Sequence, residues 1–568
     1  MAILIANIGT SDLSVKLKDF DYFLPIGFDR DEPNVSDEIL SPDEQALWDR
    51  NTRDEFIIDE LCKELGVECK TRDNGKKSYS FRTLTEKLFS AYQQDPEDWQ
   101  GRIKPGRIWG ILNTAIHQFS VNKINLFVTD QPSQHQQDTC YLFEILKKWA
   151  EVELGGEIIF LKRMIPQDVS PVKADQLLNI YYQFFVDQVD PGETVLVSIK
   201  GGTQPMQTAL RLQSITADIP KLLFIDPILS KRNVLHGQPS TCVLTSYWQY
   251  QRTQKYRIVM QLLERFDFAG ACKILKDWQS ILSFQIKQNI LSKPQLRSSR
   301  KIVEAAISGL EVADSLMNLD LDAARESAQE MDLDPTSDLD ACIRQAIAEY
   351  STLLNLYAHC KIYNQNQQVS HFLSRMSSCC EEVLNEVIKQ LGGNKYLKPA
   401  TVGSRIEIQE IKRLLPNDQF SLLESLDYDR ESKYAKIVYR ASKVNFLAIL
   451  LAIRKNVGKD EDQEDNSLSL LLSQIDSLQF WIHRRNEMIH NSQGFSSKRI
   501  LELNGEATKE GACLFENILQ VLSEILMSPL LKLPNTHKHR FITGSDLYPY
   551  TDLTNWVREK LLLDMRTR

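Results

Sequence analysis

The chain has 568 residues, 42% hydrophobic, 25% charged and 9% aromatic, a composition that excludes collagen-like, wholly disordered and mini-protein architectures. At roughly 150 residues per domain, length alone implies two to four domains. Asp+Glu 76 against Lys+Arg 67 leave a net charge of −9, so the chain as a whole has no electrostatic affinity for nucleic acid and any polyanion must be bound locally.

In chain order, Ala2–Asn7, Ile124–Thr129, Glu157–Leu161, Thr194–Ile199 and Leu222–Asp226 are apolar nearly throughout and read as buried strands. Helical runs at Cys140–Glu153, Ala174–Gln188 and Pro205–Ala217 separate the later ones. Continuous rather than alternating hydrophobicity means that both faces of each strand are covered, which predicts a parallel sheet flanked by helices. Residues 1–250 are therefore expected to form an α/β, Rossmann-like domain, interrupted at about 20–120 by an insertion rich in Asp, Arg and Gln.

After Tyr256 the strand signals stop and the pattern predicts an all-α remainder: a helical connector over 251–370 and a helical domain over 371–568. Within the connector, Phe266-Asp267-Phe268-Ala269-Gly270-Ala271 is echoed by Leu319-Asp320-Leu321-Asp322-Ala323-Ala324. The echo has the look of stacked helical hairpins, but two copies fall short of a solenoid and an irregular connector is the simpler expectation. Gly458–Asn466 carries five carboxylates and is expected to be a solvated loop rather than a metal site.

Ten cysteines are scattered through apolar stretches with no C-x-x-C pair and no H-E-x-x-H partner. No zinc site is expected, and buried free thiols in a reducing cytoplasm fit the pattern. The longest aliphatic run, Phe446 to Ile453, is too short to span a bilayer, so no membrane association is expected.

Two segments stand where an open parallel sheet binds ligands, beyond the carboxyl ends of its strands. Asn7-Ile8-Gly9-Thr10-Ser11-Asp12 follows the first strand and offers a glycine with small polar side chains. Lys200-Gly201-Gly202-Thr203-Gln204-Pro205-Met206 follows the strand at 194: two glycines turn backbone N–H groups towards a ligand, the following helix favours an anion at its N-terminus, and Lys200 adds a charge. Neither segment is a GxGxxG or GxxxxGK[ST] fingerprint, so ordinary NAD or ATP chemistry is not supported. The simpler alternative is a pair of tight strand-to-helix turns. Thr129-Asp130-Gln131 would line the same crevice, although an ordinary turn accounts for it better.

Near the C-terminus, Phe480–Asn491 predicts a helix that ends soon after His490, because Ser492, Gln493 and Gly494 follow. At 100° per residue, Asn486 and His490 share a face with His483, and Arg485 lies about 140° from His490. An Arg, an Asn and a terminal His suit RNA cleavage, in which the 2′-hydroxyl is itself the nucleophile. The histidine moves the proton and the guanidinium holds the anionic phosphorane. Any isolated R-x4-H, however, is commonly a solvated helix face.

The Arg485-Asn486-x-x-x-His490 string in a C-terminal helical block resembles the catalytic motif of HEPN ribonucleases. The Asn7-Ile8-Gly9-Thr10-Ser11 start and the Lys200-Gly201-Gly202-Thr203-x-x-Met206 loop resemble those of CARF domains, the CRISPR-associated Rossmann sensors. Taken together, the chain is similar to the CARF–HEPN effector ribonucleases of type III CRISPR systems. That resemblance implies a CARF sensor over 1–250, a connector over 251–370 and a HEPN domain over 371–568. It implies a metal-independent endoribonuclease that cuts single-stranded RNA by 2′-hydroxyl attack, is activated by a cyclic oligoadenylate, with tetra-adenylate favoured over hexa-adenylate, and works as a cytoplasmic homodimer without a cofactor. Cleavage of the activator by the same chain is a further implication. Carried over residue by residue, Arg485, Asn486 and His490 are catalytic, and Asn7, Gly9, Thr10, Ser11, Lys200, Gly201, Gly202, Thr203 and Met206 bind the activator. The alternatives from other classes are a ligand-sensing scaffold that cuts nothing and a small-molecule enzyme whose helices serve dimerisation.

Overall fold

Six short runs pair into one sheet: β1 (Ala2–Asn7), β2 (Lys123–Val128), β3 (Ile159–Met164), β4 (Thr194–Ser198), β5 (Leu222–Pro227) and β6 (Cys242–Thr245). The computed structural model describes residues 2–18, 20–27, 38–71, 76–155, 157–290, 293–331, 333–348, 352–400, 403–416, 419–426, 433–456, 462–491, 494 and 496–566. The strand order is β6-β5-β4-β1-β2-β3, parallel throughout except for β6, which runs antiparallel to β5. The expected strands all form, with ends displaced by a residue or two and β3 running on to Met164; β6, four residues at an edge, was not anticipated.

Burial explains why these runs are continuously apolar. Leu4, Ala6, Leu126 and Leu196 point into one core with the helices Ile108–Phe119 and Cys140–Glu153. Ile3, Ile5, Phe127, Val195 and Val197 point into a second core with the helices Ala174–Gln188 and Gln204–Thr216. Each fully buried aliphatic side chain contributes about 1.5–3 kcal/mol. Since alternate residues serve opposite faces, neither face tolerates a polar run.

The expected insertion is no separate appendage. Leu13–Lys16, Phe23–Pro25 and Ile103–Pro105 form a three-stranded antiparallel sheet. Leu47, Trp48, Leu84, Leu88 and Trp99, from helices within 42–102, join the first core. Arg102 ties this layer together, donating to Glu64 at 2.9 and 2.7 Å, to Asp98 at 3.0 Å and to the Lys16 carbonyl at 3.1 Å.

The chain divides into two units, residues 1–254 with 277–296 and residues 255–276 with 297–568. The second is dominated by helices, among them Val369–Gln390, Arg440–Asn456, Asp462–Ser477, Gln479–Asn491 and Tyr550–Arg566. It departs from a purely helical expectation in one place: Lys398–Pro399, Ser404–Glu407 and Tyr434–Ile437 make a small antiparallel sheet. Asp564 accepts from Tyr256 at 2.6 Å and from Ser299 at 2.5 Å, and His359 bonds Tyr550 at 2.6 Å. Burial pushes the His359 imidazole down to about 3, so it is neutral at physiological pH.

Two sequence features acquire a physical meaning here. Phe266 and Leu319 both have positive φ, 55° and 59°, and the next residue, Asp267 or Asp320, donates its N–H back to Leu262 or Ser315 at 3.0 and 2.9 Å. Each Asp then accepts a backbone N–H three residues on, from Gly270 at 2.9 Å and Ala323 at 3.0 Å. The echo is a repeated device that ends one helix in a left-handed residue and caps the next. The expected acidic loop needs correction: residues 458–461 lie outside the described residues, but 462–466 open the helix Asp462–Ser477. Carboxylates in a first turn are favoured by the positive end of the helix, which outweighs their polarity.

Among the described residues no helix is long and apolar enough to cross a membrane, and no group of three or more His, Cys, Asp or Glu side chains converges as a metal site. All ten cysteines are free thiols, and burial raises those of Cys360, Cys379 and Cys380, the last to about 12.

Candidate functional site

Strand order reverses between β1 and β4: the chain steps from β1 to β2 on one side and from β4 to β5 on the other. The crevice beyond the carboxyl ends of these two neighbours is where such sheets bind ligands. Both glycine-bearing segments end there. A methyl group added to Gly9 would lie 3.1 Å from the Gly202 nitrogen, and one added to Gly201 would lie 2.2 Å from the Asn7 carbonyl oxygen. Gly201 and Gly202 have φ of +138° and +71°, values that side-chain-bearing residues rarely adopt. The two loops therefore close on one another backbone to backbone.

The predicted residues divide by exposure. Gly9, Thr10, Ser11, Lys200, Gly202 and Thr203 are partly exposed. Thr203 caps the helix Gln204–Thr216, accepting from the Met206 N–H at 3.3 Å, and its hydroxyl also donates to the Pro171 carbonyl. Asn7 and Gly201 are buried, and the Asn7 Oδ1 accepts from the Tyr181 hydroxyl at 2.6 Å. Met206 is completely buried within the second core, with its Sδ and Cε under Gly202; it shapes the loop from below rather than presenting a surface.

What sequence reading missed is the support of the first loop. Asp12 is fully buried; it accepts from the Gly9 N–H at 2.7 Å and from Arg107 through both oxygens at 2.8 Å. Arg107 also donates its backbone N–H to the Ser11 carbonyl at 3.1 Å. Breaking a buried ion pair by removing one partner costs about 3–5 kcal/mol, because the remaining charge keeps its desolvation penalty. Asp12→Ala is therefore expected to lower stability by that order, read as a fall in the urea midpoint; an unchanged midpoint would show that the pair does not organise the loop.

At the end of β5, burial raises the Asp226 carboxyl above its ordinary value, with Lys200 and Arg211 pulling the other way. Lys200 thus has an acidic neighbour at the crevice. Thr129-Asp130-Gln131 has a structural job: Arg82 pairs with Asp130 at 2.5 Å and Asp138 at 3.1 Å, and Gln131 bonds Asp138 through both its backbone and its amide.

In the second unit, Trp481 anchors the helix Gln479–Asn491. Its ring is fully buried against Phe515 at 5.3 Å, and its Nε1 donates to the Cys513 carbonyl at 2.8 Å. The two adjacent arginines have different surroundings. Arg484 pairs with Glu487 and Glu506, each at 2.7 Å, and lies over the Phe480 ring; the Glu487 hydrogen bond raises its already high pKa. Arg485 instead bonds neutral partners, Ser374 of the helix Val369–Gln390 at 3.3 Å and the Asn486 Oδ1 at 2.9 Å. His490 stands on the last turn of the helix backbone, while its side chain lies outside the described residues. Ser374 was not anticipated, since nothing in a sequence joins it to a residue 111 positions away.

Neither a protein-family model nor a curated protein matches the chain. Among solved structures, the chain is similar to Enterococcus italicus Csm6 bound to cyclic hexa-2′-fluoro-hexa-dAMP, with 14% identity and a TM-score of 0.45 over 80% of this chain and 95% of that one.

Proposed function

We propose that this chain is a CARF–HEPN-type effector: a metal-independent endoribonuclease acting on single-stranded RNA and activated by a cyclic oligoadenylate at the crevice between β1 and β4. On this reading residues 1–250 sense, 251–370 connect and 371–568 cut. The observation that carries it is the contrast between the two arginines. Arg484 is matched by carboxylates, whereas Arg485 is held by the neutral groups of Ser374 and Asn486. A guanidinium kept in position without a matched carboxylate suits an incoming phosphate.

In the proposed reaction His490 takes the proton of the RNA 2′-hydroxyl, whose oxygen attacks the adjacent phosphorus. Arg485 stabilises the dianionic phosphorane, the P–O5′ bond breaks, and the products are a 2′,3′-cyclic phosphate and a 5′-hydroxyl that recovers a proton. One such set per chain supplies few groups, so two chains related by a two-fold axis would face their sets together. The same axis would pair two crevices around a symmetric cyclic ligand.

Incubating the purified protein with labelled RNA in EDTA, with and without cyclic tetra- and hexa-adenylate, tests the proposal. Cleavage that needs the cyclic nucleotide, persists in EDTA and leaves cyclic phosphate ends is expected, with tetra-adenylate the better activator. An absence of cleavage under every condition would favour the sensing scaffold instead. Arg484→Ala should retain far more activity than Arg485→Ala, because its charge is already spent on Glu487 and Glu506; equal losses would contradict the assignment of Arg485. Sedimentation of the active species should give twice the chain mass of 65.4 kDa, and a fully active monomer would refute the paired site.

A further inference from the structure

A second polar cavity lies in the first unit, in the layer built by residues 26–81 and walled on one side by Gln136 and Gln137. Its volume is about 400 Å³, within the range of small-molecule sites. In a chain with a net charge of −9, its lining runs the other way: Arg50, Arg53, Lys76 and Lys77 stand against a single carboxylate, Asp54. The Arg53 side chain is almost wholly buried, 1% exposed. Holding a guanidinium inside the protein at a cavity wall carries a desolvation cost that a bound anion offsets. The amides of Asn51, Gln136 and Gln137 add donors and acceptors, more than a bare phosphate uses and of the kind that meets a base edge.

The cavity also touches the candidate activator loop. Thr10 is part of its lining, and Gly27, at its floor, packs so closely that a methyl group there would lie 2.3 Å from the Thr10 carbonyl carbon. Neither glycine-bearing crevice segment contributes any other residue to it.

We propose that this cavity binds a phosphorylated small molecule of the mononucleotide class, as a site additional to the crevice between β1 and β4. Arg50, Lys76 and Lys77 hold the phosphate beside Arg53, and the amide side chains meet the base. The site stands or falls independently of the ribonuclease reading, since it needs neither Lys200 nor His490.

The test is calorimetric titration of the full-length protein with AMP, with inorganic phosphate as a second ligand. AMP is expected to bind more tightly than inorganic phosphate. Lys76→Glu combined with Lys77→Glu, both exposed side chains whose change leaves the cores intact, should weaken AMP binding by about tenfold or more, as expected from losing charge-assisted contacts. Lys200→Ala should leave AMP binding unchanged. Arg50→Glu gives a second variant, and an unaltered urea midpoint in both confirms folding. Absence of AMP binding up to about 1 mM, or AMP binding unaffected by the lysine and Arg50 substitutions, would overturn the proposal. Loss of AMP binding in Lys200→Ala would place the nucleotide in the crevice and overturn it equally.

Discussion

His490→Ala should lower the activated rate of RNA cleavage by about a hundredfold or more, the usual contribution of a positioned general acid or base, while leaving folding and activator binding unchanged. The residue occupies the final turn of the helix Gln479–Asn491, whose stability comes from the other end. Trp481 and Phe480 are buried, and Trp481 is bonded to the Cys513 carbonyl. Losing an imidazole at the far end therefore removes chemistry rather than packing. His483 supplies the control. It lies seven residues earlier on nearly the same face, is exposed, and bonds Gln479 at 2.5 Å, so His483→Ala should leave most activity in place. If a neutral histidine accepts the 2′-hydroxyl proton, the rate should rise with pH through about 6.5, the ordinary imidazole value. A His490→Ala protein that cuts as fast as the parent, or a loss that follows His483 instead, would remove His490 from the mechanism.

The parts of this protein that the sequence makes legible are those where one physical demand acts on consecutive residues. β1 to β5 are buried on both faces, so every position in Ala2–Asn7 or Thr194–Ser198 must be apolar or small, and the run announces itself. Gly201 and Gly202 are equally visible because a turn with φ of +138° and +71° excludes most other residues. The illegible parts depend on partners distant in sequence. Arg107 supports a loop through Asp12, 95 positions away, and neither residue carries a local signal of the pairing. The strands Lys398–Pro399, Ser404–Glu407 and Tyr434–Ile437 are two to four residues long, too short for alternation to emerge against helical surroundings. Arg50, Arg53, Lys76 and Lys77 read as dispersed surface charges until the helices and the hairpin of the 42–102 layer bring them to one cavity. Met206 errs in the opposite direction. Its place in the glycine loop marks it as a ligand contact, but the first turn of a helix packed on a sheet puts that position in the core.

Lys200→Ala is expected to raise the cyclic oligoadenylate concentration for half-activation by about tenfold, with the maximal rate unchanged. A cyclic oligonucleotide brings several phosphates to a unit whose glycine loops offer N–H groups but few cations, so losing one charge-assisted contact at about 1.5–3 kcal/mol costs roughly that factor or more. Only affinity should move, because Lys200 lies on the sensing crevice and the ribonuclease residues lie in the other unit; a ligand shifts an activation equilibrium only by its differential affinity for the active state. Alanine is the informative substitution. At Gly201 even a methyl group would lie 2.2 Å from the Asn7 carbonyl oxygen, so a change there would disturb the closure of the two loops as well as binding. The surroundings of Lys200 add a second reading. Its ammonium opposes the upward shift of the buried Asp226 carboxyl, and without it that carboxyl titrates at higher pH. The half-activation concentration of Lys200→Ala should therefore differ from the parent most at the pH where Asp226 is ionised in both proteins, since there an anionic ligand meets an uncompensated carboxylate. Dose–response curves at two pH values measure both effects together, and a midpoint identical to the parent at both would place the activator away from the Lys200–Thr203 loop.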